Sequence, residues 1–237
     1  MIERPYFRIS RNSWPDYVLD SRYSDDMAQL CRAFGIIIKD LERLFEFVEP
    51  TNDNLDTYSH RTYELFLRTA TEFETNCKRI LLANGYKKKQ PSIVDYAKID
   101  KASRLSDYEV VVTNWSITPK EYRPFVDWKN GHSLAWYQDY NSVKHDRSVH
   151  FPKASLGNLV ESITGLLVIL FSQFGIYALS PNQDVAFELS NDDGYCSAPG
   201  SMFAVKPPTW TDDERYSFDW DTLSTLPMPF QMFNFND

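Results

Sequence analysis

The chain has 237 residues, of which 43% are hydrophobic and 24% charged, and its formal net charge is −8. This is an ordinary balance for a soluble protein with one large domain, or with a core domain and an appendage. The acidic total disfavours non-specific binding of nucleic acid. An aromatic content of 15% with only 8 glycines favours helices over a turn-rich β-sandwich.

No targeting, membrane or metal-binding segment is expected. The opening "MIERPYFRIS" lacks the apolar region of a signal peptide. The run "ITGLLVILF" (163–171) is far shorter than the ~20 residues of a membrane helix, so it predicts a core helix. The widely spaced Cys31, Cys77 and Cys196 predict free thiols in a reducing, cytoplasmic protein. We expect no metal and no cofactor.

Two long amphipathic helices are predicted in the first third of the chain. Residues 24–48 repeat apolar side chains with the 3.6-residue period of a helix, with Ser24 as N-cap and Pro50 beyond the end. Residues 49–60 form a polar connector. Residues 59–86 repeat the helical pattern, and the pair Asn84-Gly85 predicts a left-handed stop.

The middle of the chain is less regular and then becomes helical again. The β-branched run "YEVVVTNW" (108–115) predicts a short strand, within a β insertion near 105–125. Helices are predicted over about 133–147 and over 152–175, the latter with Pro152 in its first turn and Gly175 at its end. The last helix is apolar around most of its circumference, so it should lie at the centre of the bundle.

Residues 181–237 differ in character from residues 1–180, which we assign to the helical bundle domain. They carry ten acidic side chains against Lys206 and Arg215, a local charge of −8. We expect an acidic, proline- and aromatic-rich extension packed on the bundle, with possible short strands in "SMFAVKPP" and "RYSFDW". By contrast, residues 76–104 carry eight basic side chains against two acidic ones, a local charge of +6.

Glu74 breaks the pattern of the second predicted helix. On a helical wheel of ~100° per residue with Tyr63 at zero, Glu74 falls at about 20°, within the apolar stripe. A buried charge needs a donor or a cation, so Glu74 is expected to find a partner on another helix. This arrangement is typical both of a structural carboxylate and of a catalytic one.

The string "YNSVKHDR" (140–147) is the most donor-rich stretch of the predicted helices. Asn141 and His145 are four residues apart and therefore share a helix face. His145 is the natural proton-transfer group, because its ordinary pKa lies near neutrality. Lys144 and Arg147 could hold a phosphate. A structural polar helix end remains the alternative.

The residues Asn141-x-x-x-His145, on a helix followed by a long apolar helix, resemble the motif of the HEPN superfamily of helical bundles. That motif reads arginine, a polar residue, three variable residues and histidine, so Tyr140 stands where the family has arginine. The resemblance covers roughly residues 24–175 and implies an antiparallel helical bundle that forms a homodimer. The string "EPTNDNLDTYSHR" (49–61) also resembles a family of bacterial proteins.

The resemblance implies either a metal-independent ribonuclease, as in toxin–antitoxin and phage-defence systems, or a protein that binds RNA or nucleotides without turnover. In the ribonuclease hypothesis His145 is the acid/base, and Asn141 and Glu74 orient it. The phosphate or ligand contacts would come from Tyr140, Lys144, Arg147, Lys87, Lys88 and Lys89. The favoured hypothesis is non-catalytic: the stretch 140–147 and Glu74 form a buried polar network that fixes helix register, and the acidic extension docks a protein partner.

Overall fold

The structure is a computed structural model that describes residues 1–12, 15–179, 189–190, 193–198 and 200–237. The chain is mainly helical, as predicted, and its short strands form a small antiparallel sheet. The helices are α1 Met27–Phe45, α2 His60–Ala83, α3 Ile93–Tyr96, α4 Asp100–Ser103, α5 Ala135–His145, α6 Arg147–His150, α7 Leu156–Phe174 and α8 Trp220–Ser224. The strands are β1 Glu109–Val112, β2 Lys120–Tyr122, β3 Leu189–Ser190, β4 Cys196–Ser197 and β5 Phe203–Lys206.

Helix α7 forms the centre of the fold and packs against α1, α2 and α5. Every residue from Ser162 to Phe174 is buried, which confirms the predicted core helix. The helical stretch Leu156–Ala178 is long and apolar enough to cross a membrane, but 94% of its most apolar window is buried inside the fold. That burial is compatible with a soluble protein, because lipid-facing side chains would be exposed on the surface.

The ends of the two long amphipathic helices follow from local hydrogen bonds. Ser59 caps α2: its hydroxyl accepts from the Thr62 N–H at 3.1 Å, and its own N–H donates to the Thr62 hydroxyl at 2.7 Å. The left-handed Gly85, at φ 71°, lies just beyond the end of α2 as predicted. Helix α1 differs from the prediction, since its N-cap position is Asp26 rather than Ser24.

The helix predicted over about 133–147 ends earlier, at His145. Asp146 leaves the helical conformation, with φ −143° and ψ 84°, and its carboxylate accepts from the Val149 N–H at 3.3 Å. Asp146 therefore caps the short helix α6, and Arg147 belongs to that helix rather than to α5. The helix predicted from residue 152 begins later, because Ser155 caps α7 and Pro152 lies in the 3-10 turn Phe151–Lys153.

The sheet joins the middle of the chain to its C-terminal part in the order β2-β1-β5-β4-β3. Strand β1 lies between β2 and β5, with Val110 opposite both Tyr122 and Val205. The string "SMFAVKPP" does contain a strand, β5. The string "RYSFDW" forms no strand of its own: Tyr216 makes an isolated bridge to Ile2, and α8 begins at the last residue of the string, Trp220.

Aromatic side chains attach residues 200–237 to the rest of the protein. Phe230 is 2% exposed and Phe235 is 1% exposed. The ring of Phe230 lies 5.3 Å from those of both Phe7 and Tyr23. Residues 180–188, 191–192 and 199 lie outside the described residues, so the predicted boundary at 180 remains a prediction.

Candidate functional site

Residues 135–151 run antiparallel to α2, and this alignment positions most of the predicted site. The Tyr137 hydroxyl donates to Glu74 Oε1 at 2.9 Å. Ten residues later, the guanidinium carbon of Arg147 lies 5.4 Å from the ring centre of Tyr63. Residue numbers therefore rise along residues 135–151 in the direction in which they fall along α2, over about 16 Å of α2. Glu74 and the cations of residues 144–147 therefore share one side of this helix pair.

Within the part of the chain that the structure describes, Glu74 has three partners, and two of them lie on α5. Besides Tyr137, the ammonium groups of Lys78 and Lys144 lie 3.3 Å from Oε2 and 3.8 Å from Oε1. The carboxylate side chain is 15% exposed. Burial, then the charge and hydrogen bond of Glu74, raise the pKa of Tyr137 far above its ordinary value. The carboxylate thus fastens α2 to α5 and pairs with two lysines, Lys78 and Lys144.

Glu74 lies at the border of the buried face of α2, not in its middle. The fully buried line of α2 follows Phe66, Phe73 and Ile80, whereas Tyr63 is only partly buried. The helical wheel was centred on Tyr63, which is not the centre of the buried face. Because α1, α5 and α7 all pack on α2, the apolar arc of this helix is wide. At the border, a carboxylate reaches both a buried hydroxyl and exposed ammonium groups.

The predicted orientation of His145 by Asn141 and Glu74 is not found. Asn141 is half-buried on α5, and His145 is exposed at its last position. Among the described residues, neither of them is a hydrogen-bond partner of Glu74. Of the polar network predicted between Glu74 and residues 140–147, the structure shows only the contact with Lys144, whose side chain is 46% exposed. Glu74 is joined to α5 mainly by Tyr137, and the predicted orientation of His145 is absent.

Tyr140, expected among the phosphate contacts, is a core residue. Its side chain is 2% exposed and its ring lies 6.1 Å from that of Phe66. The Lys144 ammonium lies 5.0 Å from the Tyr140 ring centre. A hydrogen bond with Tyr140 and the charge of Glu74 raise the pKa of Lys144. The Tyr140 ring therefore packs beneath the Lys144 ammonium, and Tyr140 itself is almost inaccessible to solvent.

An aromatic platform lies beside Arg147, and the sequence analysis missed it. The ring of Phe151 lies 5.4 Å from Tyr58, 5.0 Å from His60 and 6.0 Å from Tyr63. We call these four residues the aromatic platform. Tyr58 is 46% exposed and His60 is also exposed. The three aromatic side chains within residues 58–63 were the available signal, but the partner Phe151 comes from far along the chain.

The predicted lysines 87–89 are all exposed but differ in their partners. The ammonium of Lys88 lies 2.6 Å from Asp95, which neutralises its charge. Burial opposes ionisation of Asp95, but hydrogen bonds from Lys88 and Tyr86 lower its pKa well below the ordinary range. The Lys87 N–H donates to Asn236 Oδ1 at 3.0 Å. Lys89 shares a surface groove of about 410 Å³ with Lys78.

These observations define one cationic surface, which we call the α2–α5 strip. It comprises the aromatic platform and four cations, Lys78, Lys89, Lys144 and Arg147. Glu74 is the carboxylate that contacts two of these cations. In a chain of net charge −8, a surface with four cations is a place where an anion can bind.

The most deeply buried polar network lies elsewhere, and its long-range partners left no local signal in the sequence. Arg8, at 5% exposure, donates to Asp26 and, at 3.2 Å, to Gln173 Oε1. Gln173 in turn donates to Asn76 Oδ1 at 2.9 Å. Burial opposes ionisation of Asp26, but hydrogen bonds from Ser24 and Arg8 lower its pKa below the ordinary value. This network joins the N-terminal segment to α1, α2 and α7.

Within the described ranges, no group of three or more His, Cys, Asp or Glu side chains is arranged to hold a metal ion. The three cysteines are free and buried. No family model, curated protein or solved structure matches the chain. The similarity to the HEPN superfamily therefore remains a prediction based on the motif in residues 140–145.

Proposed function

We propose that this protein binds single-stranded RNA along the α2–α5 strip and does not cleave it. The observation that carries the proposal is the position of Arg147, over the Tyr63 ring and next to the exposed rings around Phe151. Proteins that bind single strands combine cations that follow the phosphates with aromatic side chains on which bases stack. The strip offers both groups on one surface.

A single strand fits this surface better than a duplex does. In a duplex the bases are paired and stacked on one another, so the rings of Tyr58 and Phe151 could not reach their faces. An unpaired base can lie on these rings while its phosphates contact Lys144 and Arg147. Base stacking on an aromatic side chain is worth about 1–3 kcal/mol.

Binding without turnover is supported by the surroundings of His145. A general base is normally oriented by a hydrogen-bonded neighbour, and Glu74 and Asn141 do not supply one. The position of the family's arginine is occupied by the buried Tyr140. A HEPN-like bundle, a cytoplasmic location and a homodimer belong to the same proposal, and light scattering of the purified chain tests the dimer.

A metal-independent ribonuclease is the second candidate, because His145 is exposed between Lys144 and Arg147 on the strip. It would use His145 as acid/base and Asn141 as its polar neighbour. The test is incubation of wild type and His145→Ala with structured and single-stranded RNA in the presence of a chelator. Equal RNA traces from the two proteins would remove the ribonuclease hypothesis, and cleavage by wild type alone would establish it.

The binding proposal is tested by fluorescence anisotropy with a labelled single-stranded RNA. We expect the double variant Lys144→Ala/Arg147→Ala to bind at least tenfold more weakly than wild type. Loss of two phosphate contacts should also flatten the dependence of log affinity on log salt by about 1.4, at ~0.7 per contact on single strands.

The matched control is Arg32→Ala/Lys39→Ala, which removes two exposed cations from α1 and leaves the strip intact. This variant changes the net charge by the same amount and should bind RNA with nearly the wild-type affinity. Equal weakening in the two double variants would mean that only the total charge matters, and it would contradict the proposal.

A further inference from the structure

A second candidate binding surface lies far along the chain from the strip, in the acidic C-terminal part. It is a groove of about 510 Å³, which we call the C-terminal groove. Its walls are mostly aromatic rings and proline, namely Tyr17, Pro208, Trp210, Tyr216, Phe218 and Trp220. None of these residues takes part in the proposed RNA surface.

One wall of the groove is a row of three rings. Tyr216, Phe218 and Trp220 are half-buried, and they alternate with exposed polar residues, as in an extended segment. The ring centres of Tyr216 and Phe218 lie 6.0 Å apart, and those of Phe218 and Trp220 lie 6.3 Å apart. All three pack on Tyr17, with centre distances from 5.5 to 6.1 Å. The row is therefore held by a buried ring behind it.

Trp210, a further part of the groove wall, is fixed by an arginine that also lies 5.6 Å from the Tyr216 ring centre. The guanidinium of Arg11 lies 4.8 Å from the ring centre of Trp210. It donates to the carbonyl oxygens of Glu214 at 2.7 Å and Ala102 at 3.0 Å. Arg11 is thus engaged within the protein and holds Trp210 in place.

The region around the groove is acidic, although Arg11 and Arg215 line it together with Asp16. Residues 11–17 and 210–221 carry six acidic side chains against two arginines, and Arg104, which pairs with Glu214 and lies over the Trp210 ring, brings the net charge of this region to −3. Asp212 and Asp213 are almost fully exposed, and their ion pairs with Arg215 and the N-terminus are long, at 3.8 and 4.0 Å. Such exposed pairs are weak, so the carboxylates remain open to an incoming cation.

We propose that the C-terminal groove binds a proline-rich peptide segment that carries basic residues. Two residues of a polyproline II helix advance about 6.2 Å, which matches the spacing of the three rings. Prolines two residues apart can therefore lie over successive rings, as proline-rich segments do in aromatic-lined grooves. Arginine or lysine side chains of the peptide then lie against Asp16, Asp212 and Asp213.

The acidic rim selects a peptide over a nucleic acid. Aromatic rows also stack nucleobases, but a nucleic acid would bring phosphates against a region of net charge −3. The same charge attracts a basic peptide and should make the affinity fall as salt rises.

The test uses the full chain and fluorescently labelled synthetic peptides. The probe is a twelve-residue peptide of four Pro-Pro-Arg repeats, and the charge-matched control has four Gly-Gly-Arg repeats. We expect saturable binding of the first peptide, at least tenfold tighter than the second, and weaker as salt rises. Equal affinity for the two peptides, or binding of neither, would overturn the proposal.

Two variants locate the binding. Trp220→Ala should weaken the Pro-Pro-Arg peptide at least tenfold, while the exposed control Val94→Ala should leave it unchanged. Asp212→Asn/Asp213→Asn changes only exposed carboxylates and keeps the fold, and it should weaken the peptide severalfold and reduce its salt dependence. Wild-type affinity in the Asp212/Asp213 variant would contradict the assigned rim, and wild-type affinity in Trp220→Ala would contradict the groove.

Discussion

Removing one partner of the buried Arg8–Asp26 pair should be among the most destabilising single changes in this protein. Arg8 and Asp26 are 5% and 9% exposed, and Arg8 also donates to Gln173. In Arg8→Met, the partners left to the Asp26 carboxylate among the described residues are Ser24 and, at 3.4 Å, Arg79. The buried charge is then poorly compensated.

The expected cost is about 3–5 kcal/mol of unfolding free energy for either Arg8→Met or Asp26→Leu. Domains have about 5–15 kcal/mol in total, so this is a large fraction of the stability. Replacing both residues, in Arg8→Met/Asp26→Leu, leaves no unpaired charge and should cost much less than the sum of the single changes.

The assay is urea unfolding at pH 7, followed by circular dichroism and tryptophan fluorescence. Arg61→Met is the matched control, because it breaks an exposed ion pair with Glu64 and should cost at most about 1 kcal/mol. Single variants at Arg8 and Asp26 that cost no more than this control would refute the reasoning. Costs that add in the double variant would also refute it.

Three further predictions concern α2 and α7. Glu74→Ala removes the carboxylate that pairs with Lys78 and Lys144, so RNA affinity in anisotropy should rise severalfold, while the lost Tyr137 hydrogen bond lowers the urea midpoint. Weaker RNA binding would count against the strip. Ser59→Ala removes the cap that accepts from Thr62 and should cost about 1 kcal/mol in urea unfolding, and an unchanged midpoint would contradict the capping role. Burial raises the pKa of Glu161 to about 7, so the native state keeps its proton up to that pH. Stability should therefore fall between about pH 4.5 and 7, by up to about 3 kcal/mol, and Glu161→Gln should abolish this fall; the same pH profile in both proteins would contradict it.

The long helices could be predicted because their information is local. The 3.6-residue repeat of apolar side chains identifies α1 and α2, because each of these helices has one buried face and one face exposed to solvent. Helix α7 was identifiable because apolar residues cover most of its circumference. Gly175, at φ 58°, ends it as predicted. The turn at Asp146 was missed because Asp146 is equally acceptable as an exposed helix residue, and only its hydrogen bond to Val149 shows the new cap.

The candidate site was predictable only in part. The sequence shows that Glu74 needs a partner and that α5 carries donors, and the structure does join the two through Tyr137 and Lys144. Which donor meets the carboxylate depends on the rotation of both helices about their axes, and a wheel drawn for one helix does not contain that angle. Phe151 joins the aromatic platform through the same long-range alignment.

The buried network around Arg8 shows the same limit more strongly. Arg8 and Gln173 are 165 residues apart in the chain, and Gln173 and Asn76 are 97 apart. The sequence around each of these side chains gives no sign of its partner. Only the packing of α7 between the N-terminal segment and α2 makes them partners.

The most direct test of the proposed function is photo-cross-linking of the full chain to a single-stranded RNA that contains 4-thiouridine, followed by mass spectrometry of the adducts. The proposal predicts adducts on Tyr58, Tyr63 or Phe151, and their loss in Lys144→Ala/Arg147→Ala but not in Arg32→Ala/Lys39→Ala. Adducts confined to the C-terminal groove, or scattered equally over the surface in all three proteins, would contradict it.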